Sequence, residues 1–161
     1  IIEDDFIDRD LTMADYINEI IKSFKETSKK KFIVNFDQYS NLLIISKSIE
    51  IVYGLRNFIG NANKFSNSRV FINVKSDNNI TEVVIEDDGE GYPKDVLRNI
   101  GEPYIRSYKS SIKSKSGLGL GIFIGKTLLE KNYADILFRN SETRSGAEVI
   151  IKWKNKDLLN L

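Results

Sequence analysis

Three stretches of this chain carry residue types whose spacing could do chemistry. In GLRNFIGNANKFS (54–66), Asn57, Asn61 and Lys64 fall at i, i+4 and i+7 and share one narrow stripe of a helix. An asparagine carbonyl is a neutral, hard oxygen donor, suited to Mg²⁺ whose remaining ligands are phosphates and water, and a lysine supplies a point charge to the same phosphates. In VVIEDDGEGYP (83–93), a strand ends on Asp87 and is followed by Gly89 and Gly91. A carboxylate at such a rim can accept a hydrogen bond from an exocyclic amino group, and the glycines let a flat base approach the main chain. In SGLGLGIFIGKTLLEK (116–131), Gly117 and Gly119 stand at a helix start. Glycine inside a helix costs roughly 1 kcal/mol against alanine. The amides of a first turn are unpaired and carry the positive end of the helix dipole, so bare backbone there suits phosphate oxygens.

The elements that must position these residues can be read from periodicity. Residues 12–27 have helical spacing behind a candidate cap at Thr12. Residues 31–37 and 41–46 read as two short strands, and 47–65 as a helix with Ile51, Leu55, Phe58, Ile59 and Ala62 on one face. Strands 69–76 and 80–87 alternate around the turn Asp77-Asn78-Asn79. A short helix is expected after Pro93, a polar loop over 101–116, a glycine-rich helix over 117–132, and a closing hairpin of 134–140 with 146–154. Strand pairs joined by short turns predict an α+β fold: a two-layer sandwich, its sheet mixed but mainly antiparallel, with helices on one face.

Composition excludes several other chemistries. The chain has 161 residues, 41% of them hydrophobic and 29% charged, which suits one folded domain. Net charge is +1, so no nucleic-acid partner is indicated. There is no cysteine, hence no disulfide or thiolate site, and no histidine, hence no imidazole base or His-bound metal in the chain. No apolar run reaches the roughly 18 residues of a membrane span. The chain starts on Ile1 with an acidic stretch and has its one methionine at 13, so it reads as part of a longer protein.

Two tempting motifs fail. Gly125-Lys126-Thr127 would end a phosphate-binding P-loop only with glycine at 120, which is Leu120. A dinucleotide fingerprint starting at Gly117 and Gly119 would need a third glycine at 122, which is Ile122. The calcium-loop pattern begun by Asp87-Asp88-Gly89 is likewise not continued.

In order and separation the three stretches resemble the N, G1 and G2 boxes of the ATP-binding domain of sensor histidine kinases, in the wider group with gyrase, Hsp90 and MutL. GEPY (101–104) and GLGLGIFIGKTLLEK (117–131) resemble the redox-responsive RegB/PrrB type. The resemblance implies the Bergerat-type sandwich over 11–161, with residues 1–10 ending a linker from a missing upstream region. It implies Mg²⁺ on Asn61, phosphate on Lys64, adenine on Asp87 with Gly89, Gly91 and Phe65 around it, and an ATP lid over 101–116. Tyr104, Lys115, Ser116, Gly117, Leu118, Gly119 and Leu120 would complete the nucleotide contacts, and Arg106, Lys109 and Lys113 make the lid cationic. Two positions depart from the family pattern: Lys115 stands where relatives open the G2 box with glycine, and Gly60 where many place an acid.

Hydrolysing relatives carry glutamate at the place of Asn57, and an amide cannot take a proton from water. The resemblance therefore implies phosphoryl transfer to an outside nucleophile, a histidine on a separate dimerisation domain of the same protein. It further implies a response regulator downstream, a monomeric fragment, a homodimeric intact protein, and a cytoplasmic domain of a kinase anchored in the inner membrane. The alternative reading is a degenerate nucleotide-binding regulatory module or an anti-sigma-type serine kinase.

Overall fold

The computed structural model describes residues 11–39, 43–46, 48–100 and 118–159. In chain order its elements are β1 (Leu11–Thr12), α1 (Met13–Lys25), β2 (Lys31–Phe36), β3 (Ile44–Ile45), α2 (Ile49–Phe65), β4 (Arg69–Ser76), β5 (Ile80–Asp87), α3 (Lys94–Arg98), α4 (Leu118–Glu130), β6 (Asp135–Asn140), β7 (Ala147–Lys154) and α5 (Asn155–Leu159).

Local chemistry starts the two longer N-terminal helices where the sequence predicts. Thr12 caps α1 in a reciprocal box: its Oγ1 accepts from Asp15 N at 3.1 Å and Asp15 Oδ2 accepts from Thr12 N at 3.0 Å. Ser48 caps α2 by accepting from Ile51 N at 3.1 Å. The apolar stripe of α1 (Tyr16, Ile17, Ile20) and that of α2 (Ile51, Leu55, Ile59) are fully buried.

The main sheet has the order β2-β4-β5-β7-β6. The pair β2–β4 is parallel, and β4–β5, β5–β7 and β6–β7 are antiparallel. Register puts Val34, Ile72, Ile85, Val149 and Phe138 in one cross-strand row, with Val74, Val83, Ile151 and Ile136 in the next. These rows belong to the core that the helices cover. The opposite face carries a row of alternating charge, Lys75, Glu82, Lys152 and Asp135.

The strands at 31–37 and 41–46 do not form a pair. β2 lies beside β4, while β3 joins β1 in a separate two-stranded ribbon, Leu11 opposite Ile45. The crossover through α2 returns the chain next to β2 in the same direction, so β2 is claimed by a strand distant in sequence. Neither β1 nor α5 is foreseen by periodicity. The helix α5 is tied back by a buried network: Ser76 Oγ and Thr81 Oγ1 lie 2.9 Å apart, Thr81 Oγ1 donates to Asn155 Oδ1 at 2.7 Å, and Asn155 Nδ2 donates to Asp77 O at 2.7 Å.

Candidate functional site

Position 87 closes the helix-facing row that runs Val83, Ile85, Asp87 along β5. Asp87 is therefore carried inward and is only 4% exposed. Its Oδ1 accepts from Gly89 N at 2.8 Å and from Ala147 N at 3.3 Å. Main chain crowds it on two sides. A Cβ at Gly146 would stand 1.9 Å from Asp87 O, and one at Gly89 would stand 2.1 Å from Phe65 O.

Asp88, one residue on, points the other way and does a different job. Its Oδ1 accepts from the backbone N–H groups of Asn67, Ser68 and Arg69, and its Oδ2 from Ser68 Oγ at 2.8 Å. Burial pushes its carboxyl up, but the donors from Ser68, Arg69 and Asn67 outweigh this and hold it down at about 2. Asp88 thus pins the turn after α2 to the end of β5.

Around Asp87 lies a pocket of about 470 Å³, mouth included, lined by Phe58, Asn61, Phe65, Ile85, Gly91 and Tyr92 among others. Its lining, mostly apolar with a few polar groups, is of the kind found in small-molecule sites. The rings of Phe58 and Phe138 meet edge to face at 5.6 Å and 65°. Burial first, and then the charge of Asp87, raise the Tyr92 phenol above its ordinary range, so it stays a neutral donor.

A second, open groove runs between α2 and α4, lined by Tyr53, Arg56, Asn57, Lys64, Leu120 and Gly121 among others. Asn61 belongs to both hollows. Its Nδ2 is buried with no hydrogen-bond partner. A Cβ at Gly121 would stand 3.1 Å from Asn61 Oδ1, so the bare backbone of α4 makes the cradle in which this amide lies. Asn57 Nδ2 donates to Tyr53 O at 2.7 Å, and Lys64 Nζ lies 5.3 Å from the centre of the Phe65 ring. Gly60 packs under Phe24, where a Cβ would meet the ring at 3.2 Å, and the Arg56 guanidinium lies over that ring at 4.9 Å.

Of the residues singled out in the sequence, Asn61, Phe65, Asp87 and Gly91 line the pocket around Asp87, and Asn57, Asn61, Lys64 and Leu120 line the groove. Gly89 forms the turn beside Asp87, and Leu118 and Gly119 open α4. Tyr104, Arg106, Lys109, Lys113, Lys115, Ser116 and Gly117 lie outside the described residues, as do the rest of the segment 101–116 and residues 1–10. Sequence reasoning missed Gly121, Gly125, Tyr92, Ala147 and Asn140. The glycine spacing was a usable signal for the first two, since i and i+4 define one helix face. That face is turned to α2: a Cβ at Gly125 would lie 3.0–3.2 Å from three atoms of the Phe58 ring.

The donor set fits a nucleotide carrying its own cation. Among the described residues no three acidic, histidine or cysteine side chains gather to hold a metal. A neutral amide oxygen next to a lysine suits a metal bound mainly by phosphate and water.

A family model described as histidine kinase-, DNA gyrase B-, and HSP90-like ATPase matches residues 46–157. Sensor histidine kinase RegB of Cereibacter sphaeroides is 36% identical over 126 residues, 68% of this chain and 27% of that protein. Sensor protein kinase PilS of Pseudomonas aeruginosa is 38% identical over 72 residues, 45% of this chain and 12% of that protein. The chain thus spans about a quarter or less of these curated relatives. Among solved structures, the catalytic domain of histidine kinase ThkA superposes with a TM-score of 0.73 at 19% identity, over 91% of this chain and 97% of that one. Full-length ShkA in complex with AMPPNP gives 0.69 at 20% identity, over 89% of this chain and 30% of that one.

Proposed function

The chain belongs to the family of histidine kinase-, DNA gyrase B- and HSP90-like ATPases, and on that premise we propose that it binds Mg-ATP and hands the γ-phosphoryl group to a histidine on a separate domain. The observation that carries this reading is Asn61, whose buried amide borders both the pocket over Asp87 and the groove between α2 and α4. One nucleotide can then reach from a base on Asp87 to phosphates beside Asn61 and Lys64.

Each residue has a stated task. The Asp87 carboxylate accepts from the exocyclic amino group of adenine, and its place on a rigid strand end fixes the base. The Asn61 oxygen holds Mg²⁺, which when bound neutralises phosphate charge. Lys64 adds a second positive charge. Asn57 cannot act as a base toward water, which disfavours hydrolysis and leaves transfer to a positioned nucleophile. Catalysis is then positioning and charge neutralisation. The chain has no histidine, so the acceptor lies elsewhere. The natural arrangement is a histidine-bearing dimerisation domain of the same protein, a homodimeric intact kinase anchored in the inner membrane, and a response regulator that takes the phosphoryl group next. Among the described residues no helix is long and apolar enough to cross a membrane.

Calorimetry with Mg-ATP tests the pocket. The chain binds it, and Asp87→Asn and Asn61→Ala each lose measurable binding; wild-type affinity in both variants refutes the assignment. Transfer is tested with labelled ATP and a histidine-bearing domain supplied in trans. Tight binding with no labelled acceptor refutes the kinase reading while leaving the pocket intact.

A further inference from the structure

The strand β6 engages one residue of the base pocket twice. Phe138 and Asn140 are two apart and share one side of the strand. The Phe138 ring meets that of Tyr92 edge to face, centroids 6.4 Å apart at 82°. The Asn140 amide grips the main chain of the same residue: Oδ1 accepts from Tyr92 N at 2.6 Å and Nδ2 donates to Tyr92 O at 3.0 Å. A primary amide that accepts and donates at one residue reproduces the pairing of a neighbouring strand, at a point where the chain has already left the sheet. The preceding Gly91 has φ +81°, and a Cβ there would stand 2.7 Å from Asn140 Oδ1. Turn and amide are fitted to each other.

Gly91 and Tyr92 form one wall of the pocket whose polar floor is Asp87. Selection between bases by a single carboxylate needs the base held in register. A purine free to slide away from Asp87 loses the bond that favours an amino group and escapes the repulsion that penalises a carbonyl. We infer that Asn140 is a positioning residue for base selectivity: by fixing the main chain of Tyr92 it sets the gap between the 91–92 wall and Asp87. It touches the wall and not the nucleotide. This rests on the ATP-binding reading and extends it.

The test measures dissociation constants for Mg-ATP and Mg-GTP, the latter by competition, together with thermal midpoints. Asn140→Ala is expected to weaken Mg-ATP about tenfold, the scale of one to two neutral hydrogen bonds, and to lower the ATP-over-GTP ratio by about fivefold or more. Asn140→Ser, which cannot reach both Tyr92 groups, gives the same reading should the alanine variant fail to fold. A lower midpoint with an unchanged ATP-over-GTP ratio means Asn140 serves stability alone and overturns the inference. A wild-type chain that binds no Mg-ATP overturns the parent reading instead.

Discussion

Two glycines four residues apart on α4 should respond to alanine in opposite ways. At Gly121 a Cβ would stand 3.1 Å from Asn61 Oδ1 and 3.2 Å from Nδ2. An ordinary van der Waals approach is about 3.5 Å, so the amide must retreat by about 0.4 Å. Turning one side chain by roughly that much costs about 0.5–1.5 kcal/mol, and alanine returns about 1 kcal/mol of helix propensity. Stability therefore stays within about 0.5 kcal/mol of wild type. Function does not. A site works within about 0.5 Å of its productive geometry, and a displacement of ~1 Å can cost about 100-fold. The Gly121→Ala variant should lose about five- to tenfold in Mg-ATP affinity or in transfer rate. At Gly125 a Cβ would press on three atoms of the Phe58 ring at 3.0–3.2 Å. That ring is buried and packed edge to face on Phe138, so it can yield only toward the hollow over Asp87 that it lines, at the expense of that contact. Overpacking of this kind costs about 1–3 kcal/mol. Set against the same helix gain it leaves a net loss of about 1 kcal/mol, and a melting point about 3 °C lower. Urea titration and calorimetry on the two variants give both quantities. Wild-type nucleotide affinity and turnover in Gly121→Ala would refute the claim that a missing Cβ sets the position of Asn61.

The Asp88 carboxyl sits below its unfolded value of 3.8, so its stabilisation is complete above that pH and is lost as the pH falls through about 2. Because the group is only partly buried and solvent screens it, the effect is on the order of 1 kcal/mol. The stability gap between wild type and Asp88→Asn in urea should accordingly close between pH 5 and pH 2; a constant gap contradicts the assignment. Asn155→Ala strips the Asp77 carbonyl of its amide donor and leaves the buried Thr81 hydroxyl with Ser76 Oγ alone, and should cost about 1–2 kcal/mol, with Mg-ATP affinity unchanged. Tyr133 holds φ 64° and the residue is 73% exposed, so Tyr133→Gly should stabilise by about 0.5–1 kcal/mol in urea melts. A loss there would mean that its ring makes contacts outweighing the backbone relief.

Much of the architecture can be read locally, because alternation in 69–76 and 80–87 and the stripes of α1 and α2 report which side is buried. The partner of β2 cannot, since nothing in KFIVNF specifies that its neighbour lies beyond a 17-residue helix. The site divides along the same line. Asp87 announces itself as an acid at a strand end before two glycines, and Asn57, Asn61 and Lys64 as a polar stripe on a helix whose other flank is apolar. Gly121 is visible as an anomaly, but its purpose depends on which side chain faces it across the helix pair. Asn140 gives no signal at all, because its role exists only once Tyr92 has been brought alongside.

The floor under Asp87 is made where chain crosses chain: Gly89 lies against the carbonyl of Phe65, and Gly146 against that of Asp87 itself. What such a floor requires is the absence of atoms, a demand met by very few positions and indifferent to the rest. A hollow built this way can be inherited through long divergence, with neighbouring side chains exchanged freely for new tasks, provided those few vacancies are kept.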